Sequence, residues 1–169
     1  GIQFVSSADD FPIDQWKKVI DINLSGVFYG IKYALPFMKK QKWGRIINIA
    51  SVHGLVASKN KPAYVAAKHG VVGLTKVVGL ETARDDVTCN AICPGWVLTP
   101  LVQKQIDDLK QRENLSESAA TEKLLGEKQP NVRFATPAEI GDMTVYLCGD
   151  AARNVTGTTL SIDGGWSAQ

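Results

Sequence analysis

Hydrophobic and polar positions divide the chain into alternating helical and extended stretches. Between residues 12 and 42 apolar residues recur every three to four positions, which predicts a long helix. We expect Asp10 to cap this helix and Asn23 to interrupt its apolar stripe. The short apolar runs with the composition of buried β-strands are residues 45–50, 87–93 and 158–162.

Further helices are predicted between and after these strands. Residues 62–84 begin with a proline, which suits the first turn of a helix, and residues 99–128 have helical composition with one break in the middle. Another helix is expected from Pro137 to about Cys148. Alternating strands and helices predict a single α/β domain over residues 1–169 with a parallel sheet, and ligands bind such sheets at the carboxyl ends of the strands.

Composition narrows the class of function. The 169 residues are 44% hydrophobic and 21% charged, with a net charge of +2, as in an ordinary globular protein. No basic stripe of the kind that binds nucleic acid is present, and Lys or Arg interrupts each apolar run before it reaches membrane-spanning length. Three cysteines and two histidines lack metal-like spacing, so we expect no metal. The odd number of cysteines favours reduced thiols and a cytoplasmic protein, and the short apolar runs favour no membrane contact.

The candidate chemistry lies between the first two predicted strands. Tyr64 and Lys68 stand four residues apart on a predicted helix and therefore share a face. A cation beside the phenol is expected to lower its pKa from the usual value of about 10. Ser51 follows the first strand, where its hydroxyl can hold a substrate oxygen against the phenol. A serine hydrolase is disfavoured because no glycine stands two positions before Ser51.

The order of these residues resembles the Ser…Tyr-x-x-x-Lys arrangement of the short-chain dehydrogenase/reductase family, and the resemblance extends over the whole chain. Pro94-Gly95-Trp96-Val97-Leu98-Thr99 is similar to the family's Pro-Gly-x-x-x-Thr loop beside the nicotinamide. The resemblance implies the C-terminal part of a doubly wound Rossmann fold. It also implies that Ser51 polarises the substrate oxygen, that Tyr64 is the general acid/base and that Lys68 lowers the pKa of the tyrosine.

Two further positions take their roles from the same resemblance. Asn23 matches the asparagine of the family's proton relay, although a buried amide satisfied by the backbone is an open alternative. Gly1-Ile2-Gln3 looks like the end of the family's Asn-Asn-Ala-Gly segment, so the glycine-rich turn that binds the pyrophosphate is not in this sequence. We therefore expect the 169-residue chain by itself not to bind the cofactor.

NAD is the cofactor that the resemblance implies. The acidic or basic residue that decides between NAD and NADP follows the second strand of the complete fold and is not in this sequence. The residues expected to contact the cofactor are Gly1, Tyr64, Lys68, Pro94, Gly95, Val97 and Thr99.

The expected substrate is a small carboxylate. A lysine, a histidine and two amides around one site suit such a ligand, and two tryptophans can form an apolar wall. The substrate-binding residues implied by family members that oxidise 3-hydroxy acids are Gln3, Ser51, His53, Lys61, Tyr64, Trp96, Gln105 and Trp166. The resemblance thus implies reversible NAD-dependent oxidation of (R)-3-hydroxybutyrate to acetoacetate. The alternatives are a family reductase for acyl-carrier thioesters or sugars, and an inactive fragment.

The resemblance also implies a homotetramer. The predicted helices at 12–42 and 62–84 are too apolar for one buried face each, so we expect them to pair with the same helices of another subunit. The small residues expected at this two-fold contact are Ala66, Gly70 and Gly73, or their neighbours.

Overall fold

Within residues 1–168, three parallel strands form the sheet, in the order β1-β2-β3. A computed structural model describes residues 1–168, apart from the side chain at position 101. The strands are β1 Gly44–Ile49, β2 Val87–Pro94 and β3 Thr159–Ile162. The helices are α1 Ile13–Ile20, α2 Gly26–Gln41, α3 Pro62–Glu81, α4 Pro100–Glu113, α5 Glu117–Gly126 and α6 Pro137–Cys148. The predicted parallel α/β fold is confirmed.

Both faces of the sheet are covered by helices, and successive strand residues therefore alternate between two cores. On one face, Ile46 and Cys89 pack with residues of α2 and α3. On the other face, Ile92 and Leu147 form a fully buried cluster between β2 and α6. All eight residues of β2 are buried, as expected for a central parallel strand.

The strand register aligns the carboxyl ends of the strands. Ala50 donates its backbone N–H to Ile92 at 2.8 Å, and Gly95 donates to Ile162 at 3.0 Å. The residues that follow β1, β2 and β3 therefore emerge at the same edge of the sheet. This edge carries the candidate chemistry, as the sequence predicts.

The first predicted helix differs from the observed one at its start and in its middle. Pro12 stands at the N-cap without a side-chain hydrogen bond, and the predicted cap at Asp10 is wrong. Pro12 instead holds the extended backbone that precedes a helix, and its carbonyl accepts the first hydrogen bond of the helix from Trp16 at 3.0 Å. Between α1 and α2, residues Asp21–Ser25 form a π-helical turn, which lies at the predicted interruption around Asn23.

The later helices begin and end close to the predicted positions. Pro62 opens α3, and α4 ends at Asn114 in the left-handed conformation before α5 begins. Thr136 and Glu139 form a capping box at the start of α6. None of the helices within residues 1–168 is long and apolar enough to cross a membrane.

An apolar groove runs along the outer surface of α2 and α3. Its volume is about 460 Å³, and Phe28, Leu35, Leu74 and Val77 are among its lining residues. Large apolar side chains of the two helices are exposed, including Phe28 at 44% and Val77 at 51% in the groove itself. Exposed apolar surface of this kind is typical of an interface with another protein.

Candidate active site

Tyr64 and Lys68 lie in the first two turns of α3, beneath the loop that follows β1. The Lys68 Nζ atom is 5.7 Å from the centroid of the Tyr64 ring and donates a hydrogen bond of 3.0 Å to the backbone oxygen of Ile49. Gly54 allows the loop to approach α3 this closely, because a Cβ at that position would meet the Lys68 carbonyl oxygen at 2.8 Å. The two predicted residues therefore meet at the end of β1.

Burial dominates the electrostatics of this pair. It raises the pKa of Tyr64, and the interaction with the Ser51 hydroxyl acts in the opposite direction. Burial also lowers the pKa of Lys68. In the chain alone, the expected lowering of the phenol pKa by Lys68 is not observed, since the ammonium is directed to the Ile49 carbonyl and desolvation is the larger effect.

Ser51 follows β1 and caps a single 3₁₀ turn, Val52–Gly54. Its hydroxyl accepts a hydrogen bond of 3.2 Å from the backbone N–H of His53, and the residue is buried. The cap fixes the hydroxyl at the carboxyl end of the strand, on the side of Tyr64. The structure thus brings Ser51, Tyr64 and Lys68 together.

Aromatic rings form one wall beside the phenol. The His53 ring lies edge-on to Tyr64, with centroids 5.8 Å apart, and edge-on to Trp166 at 5.2 Å. Trp96 stacks on Trp166 at 6.4 Å with an angle of 26° between the rings. His53 therefore contacts both Tyr64 and Trp166, and Trp96 extends this row of rings through Trp166; the substrate roles of the three residues remain predictions.

Gln129 holds the loop that carries Trp96. Its side-chain oxygen accepts a hydrogen bond of 3.0 Å from the Trp96 backbone N–H, and a Cβ at Gly95 would meet that oxygen at 2.6 Å. The Nε1 atom of Trp96 is buried and has no hydrogen-bond partner among the described residues. An indole N–H of this kind is a donor available to a bound ligand.

Burial and neighbouring basic residues both lower the pKa of His53. Desolvation lowers the pKa of His53 from 6.5 to about 4, and Lys61, Lys128 and His69 act in the same direction. Burial lowers the pKa of Lys61, and Lys128 adds to this effect. The imidazole is therefore neutral at physiological pH.

The low pKa of His53 has a consequence for acid stability. Since the folded pKa lies below the unfolded value, the unfolded state binds more protons in the interval between them, and stability is lost as the pH falls from 6.5 to about 4. The loss corresponds to about 3 kcal/mol of unfolding free energy. We expect His53→Gln to remove most of this pH dependence in urea unfolding of the full-length protein, whereas His69→Gln, at an exposed position, should retain it. Equal acid losses in the parent and His53→Gln would contradict this expectation.

Asn23 is committed to the backbone of Ile2. Its side-chain oxygen accepts from the Ile2 N–H at 3.0 Å, and its amide donates to the Ile2 carbonyl at 2.6 Å. A Cβ at Gly1 would collide with the Asn23 oxygen, which explains a glycine there. This is the backbone-satisfied amide that the sequence left open as an alternative, and the relay role of Asn23 stays a prediction.

The remaining predicted residues lie around the site with fewer defined contacts. Gln3 is exposed, Gln105 is half-buried on α4, and within residues 1–168 neither side chain forms a hydrogen bond. Thr99 caps α4 by accepting a hydrogen bond of 3.4 Å from the Val102 N–H. Pro94 ends β2, and Val97 forms an isolated bridge with Ala135. Their cofactor and substrate roles remain predictions.

Three residues of the site escape sequence reasoning: Ser58, Lys128 and Gln129. Lys128 donates a hydrogen bond of 2.9 Å to the Ser58 hydroxyl and lies 5.5 Å from the Trp166 ring centroid. Seventy positions separate Lys128 from Ser58, so no local spacing connects them. The local sequence Lys128-Gln129-Pro130, after α5, indicates a turn but does not indicate which loop these residues contact. Over the described residues, no group of His, Cys, Asp and Glu is arranged to hold a metal.

Comparison with known proteins agrees with this geometry. A family model described as enoyl-(acyl carrier protein) reductase matches residues 3–167. D-beta-hydroxybutyrate dehydrogenase of Cupriavidus necator is 56% identical over 169 residues, and the protein of the same name from Rhizobium meliloti is 53% identical. Each match covers 100% of this chain and 66% of the relative, so the chain spans about two thirds of the length of these proteins.

Solved structures share the fold and the order of its elements. Actinorhodin polyketide ketoreductase, in a variant crystallised with NADPH, superposes with a TM-score of 0.89 at 35% identity, over 100% of this chain and 65% of that one. 4-Hydroxyisoleucine dehydrogenase complexed with NADH gives a TM-score of 0.88 at 33% identity, over 100% of this chain and 66% of that one. With the Ser51, Tyr64 and Lys68 geometry, these matches show that the chain belongs to the short-chain dehydrogenase/reductase family of oxidoreductases.

Proposed function

We propose that the protein containing this chain catalyses the reversible NAD-dependent oxidation of (R)-3-hydroxybutyrate to acetoacetate. The observation that carries the proposal is the half-buried Lys61, whose ammonium acts electrostatically on His53, the residue that joins Tyr64 to the tryptophan pair. Identity of 53–56% to two D-beta-hydroxybutyrate dehydrogenases supports the same substrate.

Lys61 is suited to bind a carboxylate. It lies directly before α3, where its backbone oxygen accepts a hydrogen bond of 2.9 Å from Val65, and so its stem starts one turn before Tyr64. No carboxylate among residues 1–168 forms an ion pair with it, although burial penalises its charge. A bound anion compensates for that penalty, because a charge-assisted hydrogen bond in a poorly solvated site is stronger than one in water.

The chemistry assigned to the chain's own residues is a proton transfer at the substrate hydroxyl. Ser51 donates a hydrogen bond to the substrate oxygen, and the Tyr64 phenolate accepts the hydroxyl proton as the carbinol carbon becomes a carbonyl. The neutral His53 and the stacked tryptophans exclude water from the carbon. The positive charge of Lys68, whose Nζ atom lies 5.7 Å from the centroid of the Tyr64 ring, stabilises the phenolate.

The nicotinamide end of NAD fits these residues. An ammonium has three N–H donors, and Lys68 forms one hydrogen bond within residues 1–168, so it can also hold a ribose hydroxyl. Gly1, Pro94, Gly95, Val97 and Thr99 are assigned to the same end. When bound, the cofactor supplies the acceptor for the hydride that leaves the substrate. One solved relative contains NADH and another contains NADPH, so the experiment below compares NAD with NADP.

An assay of the full-length protein tests the proposal. Purified protein is incubated with (R)- or (S)-3-hydroxybutyrate and with NAD or NADP, and both reduced cofactor and acetoacetate are quantified. We expect activity with the (R) acid and NAD to exceed each of the other three combinations by at least about ten-fold, the size of one lost or misplaced contact to substrate or cofactor. Parallel reactions in the reducing direction contain a 3-oxoacyl thioester or a keto sugar. Faster turnover of either one than of acetoacetate would replace the proposed substrate.

We further propose that the protein is a homotetramer that uses the apolar groove of α2 and α3. Gly73 is exposed, with no heavy atom within 4 Å of the point that a Cβ would occupy, and Ala66 is exposed on the same helix. Gly70 differs, because a Cβ there would meet Leu24 of its own chain at 2.8 Å. Of the three small residues expected at the two-fold contact, Ala66 and Gly73 are therefore open to a partner.

Gly73→Leu tests the contact without disturbing the protomer. The added side chain enters open space within the chain, so we expect the fold to be kept, while close packing of two α3 helices is prevented. Light scattering should report a tetramer for the parent protein and a smaller species for Gly73→Leu. Gly126→Leu, which also has open space at its Cβ, should remain tetrameric. A monomeric parent at micromolar concentration would contradict the proposal.

A further inference from the structure

A hydrogen-bonded series of three side chains connects the region after α5 to the candidate active site. The Lys128 ammonium donates to the Ser58 hydroxyl at 2.9 Å, and the same hydroxyl lies 2.9 Å from Nε2 of His53. Residues 58 and 53 belong to the loop that follows β1, while Lys128 follows α5. None of the roles proposed above uses Ser58 or Lys128.

One arrangement of donors and acceptors in this series gives the Ser58 hydroxyl hydrogen an acceptor within residues 1–168. An ammonium has only donors, so Ser58 must accept from Lys128. If Nε2–H of His53 donated to the second lone pair of Ser58, the hydroxyl hydrogen would have no acceptor among residues 1–168, so the arrangement in which Ser58 donates to Nε2 is favoured. An Nε2 atom that accepts carries no hydrogen, and the single hydrogen of a neutral imidazole then lies on Nδ1.

We propose that Ser58 and Lys128 are positioning residues that hold His53 as the neutral Nδ1–H tautomer, with Nδ1 as a hydrogen-bond donor to the bound substrate. No hydrogen bond of Nδ1 occurs within residues 1–168, and the ring stands between those of Tyr64 and Trp166, on the wall of the proposed site. The ligand chemistry that this donor recognises is an oxygen with lone pairs, such as a carboxylate. The role in substrate binding rests on the function proposed above, whereas the tautomer does not.

The surroundings of the ring keep it neutral as well as oriented. Lys61 lies at the start of α3, Lys128 after α5 and His69 on α3, and all three disfavour a positive charge on His53. Tyr64 and Trp166 add apolar ring surface. Lys128 also polarises the Ser58 O–H bond, which strengthens the hydrogen bond to Nε2. The donor at Nδ1 therefore stays in place through the whole neutral pH range.

Imidazole NMR of the full-length protein tests the tautomer without substrate. Long-range ¹H–¹⁵N correlation distinguishes a protonated from an unprotonated ring nitrogen, and His53→Asn identifies the signals of His53. We expect a protonated Nδ1 and an unprotonated Nε2 between about pH 5.5 and 8, the range where an ordinary histidine titrates. Ser58→Ala should lose this preference, and Ser58→Thr, which retains the hydroxyl, should keep it. A protonated Nε2 in the parent, or an unchanged tautomer in Ser58→Ala, would overturn the proposal.

Kinetics test the role in binding. In Ser58→Ala and Lys128→Met we expect the KM for 3-hydroxybutyrate to rise about ten-fold with kcat nearly unchanged, because a ground-state hydrogen bond is weakened. Lys59→Met and Ser118→Ala are matched controls at exposed positions and should behave as the parent. A loss confined to kcat would overturn the binding role. Absence of 3-hydroxybutyrate activity in the parent would refute the proposed function and the binding role that depends on it, while the NMR result would still decide the tautomer.

Discussion

Tyr64→Phe is expected to lower the turnover of the full-length protein by roughly 10²–10⁴-fold, since it removes the group assigned to proton transfer. The substitution deletes one oxygen atom and keeps the ring that packs against His53. Folding and assembly should therefore be retained. Turnover is measured with saturating cofactor in both reaction directions across neutral pH.

The control for this experiment is Tyr33→Phe, at a position that is 69% exposed on α2. It makes the same chemical change far from the candidate site and should leave turnover within a few-fold of the parent. Were Tyr64→Phe to behave like this control, the acid/base would have to be another group, and the arrangement of Ser51 and Lys68 around the phenol would be structural.

Lys61→Ala is expected to reduce kcat/KM for 3-hydroxybutyrate by about 10- to 100-fold and to affect its methyl ester much less. Hydrogen bonds to charged groups contribute about 1.5–3 kcal/mol, and only the acid has the carboxylate that the ammonium binds. Both substrates are assayed side by side with saturating NAD. The difference between them isolates the charge interaction from any effect on the loop.

Lys59→Ala supplies the matched control, since Lys59 is an exposed lysine two positions away on the same loop. It should leave both substrates unaffected. An equal loss on acid and ester in Lys61→Ala would mean that Lys61 supports the start of α3 or the cofactor. The proposal of a carboxylate substrate would then lose its main physical argument.

The sequence predicts those parts of the molecule that depend on local periodicity and on proline. Pro62 and Pro137 mark the first residues of α3 and α6, and the buried run at β2 is found where its composition places it. The start of α1 is predicted less well, because both Asp10 and Pro12 are plausible before a helix and only the backbone decides between them. Local pattern alone also gives no sign that residues 21–25 form a π turn.

In the candidate site, too, the sequence predicts the features that depend on local spacing and not those that depend on the fold. The i, i+4 spacing of Tyr64 and Lys68 is local, and the structure places the two side chains together. The state of charge depends on burial, which the spacing does not report, and so the pKa of Tyr64 shifts in the direction opposite to the expected one. Contacts such as Lys128 with Ser58 require the fold itself, since they join segments far apart in the chain.

The α4–α5 region has a small core of its own. Ile106, Leu109 and Ala120 are buried against one another, with Leu115 and Phe134 beside them, in a cluster separate from those that cover the sheet. We expect this cluster to open without exposing the central strand, so that its amides exchange with solvent deuterium in a partial unfolding event while those of β2 exchange only when the whole domain unfolds. Gln105 lies on α4 within this region, so such an opening would move Gln105 without unfolding the sheet.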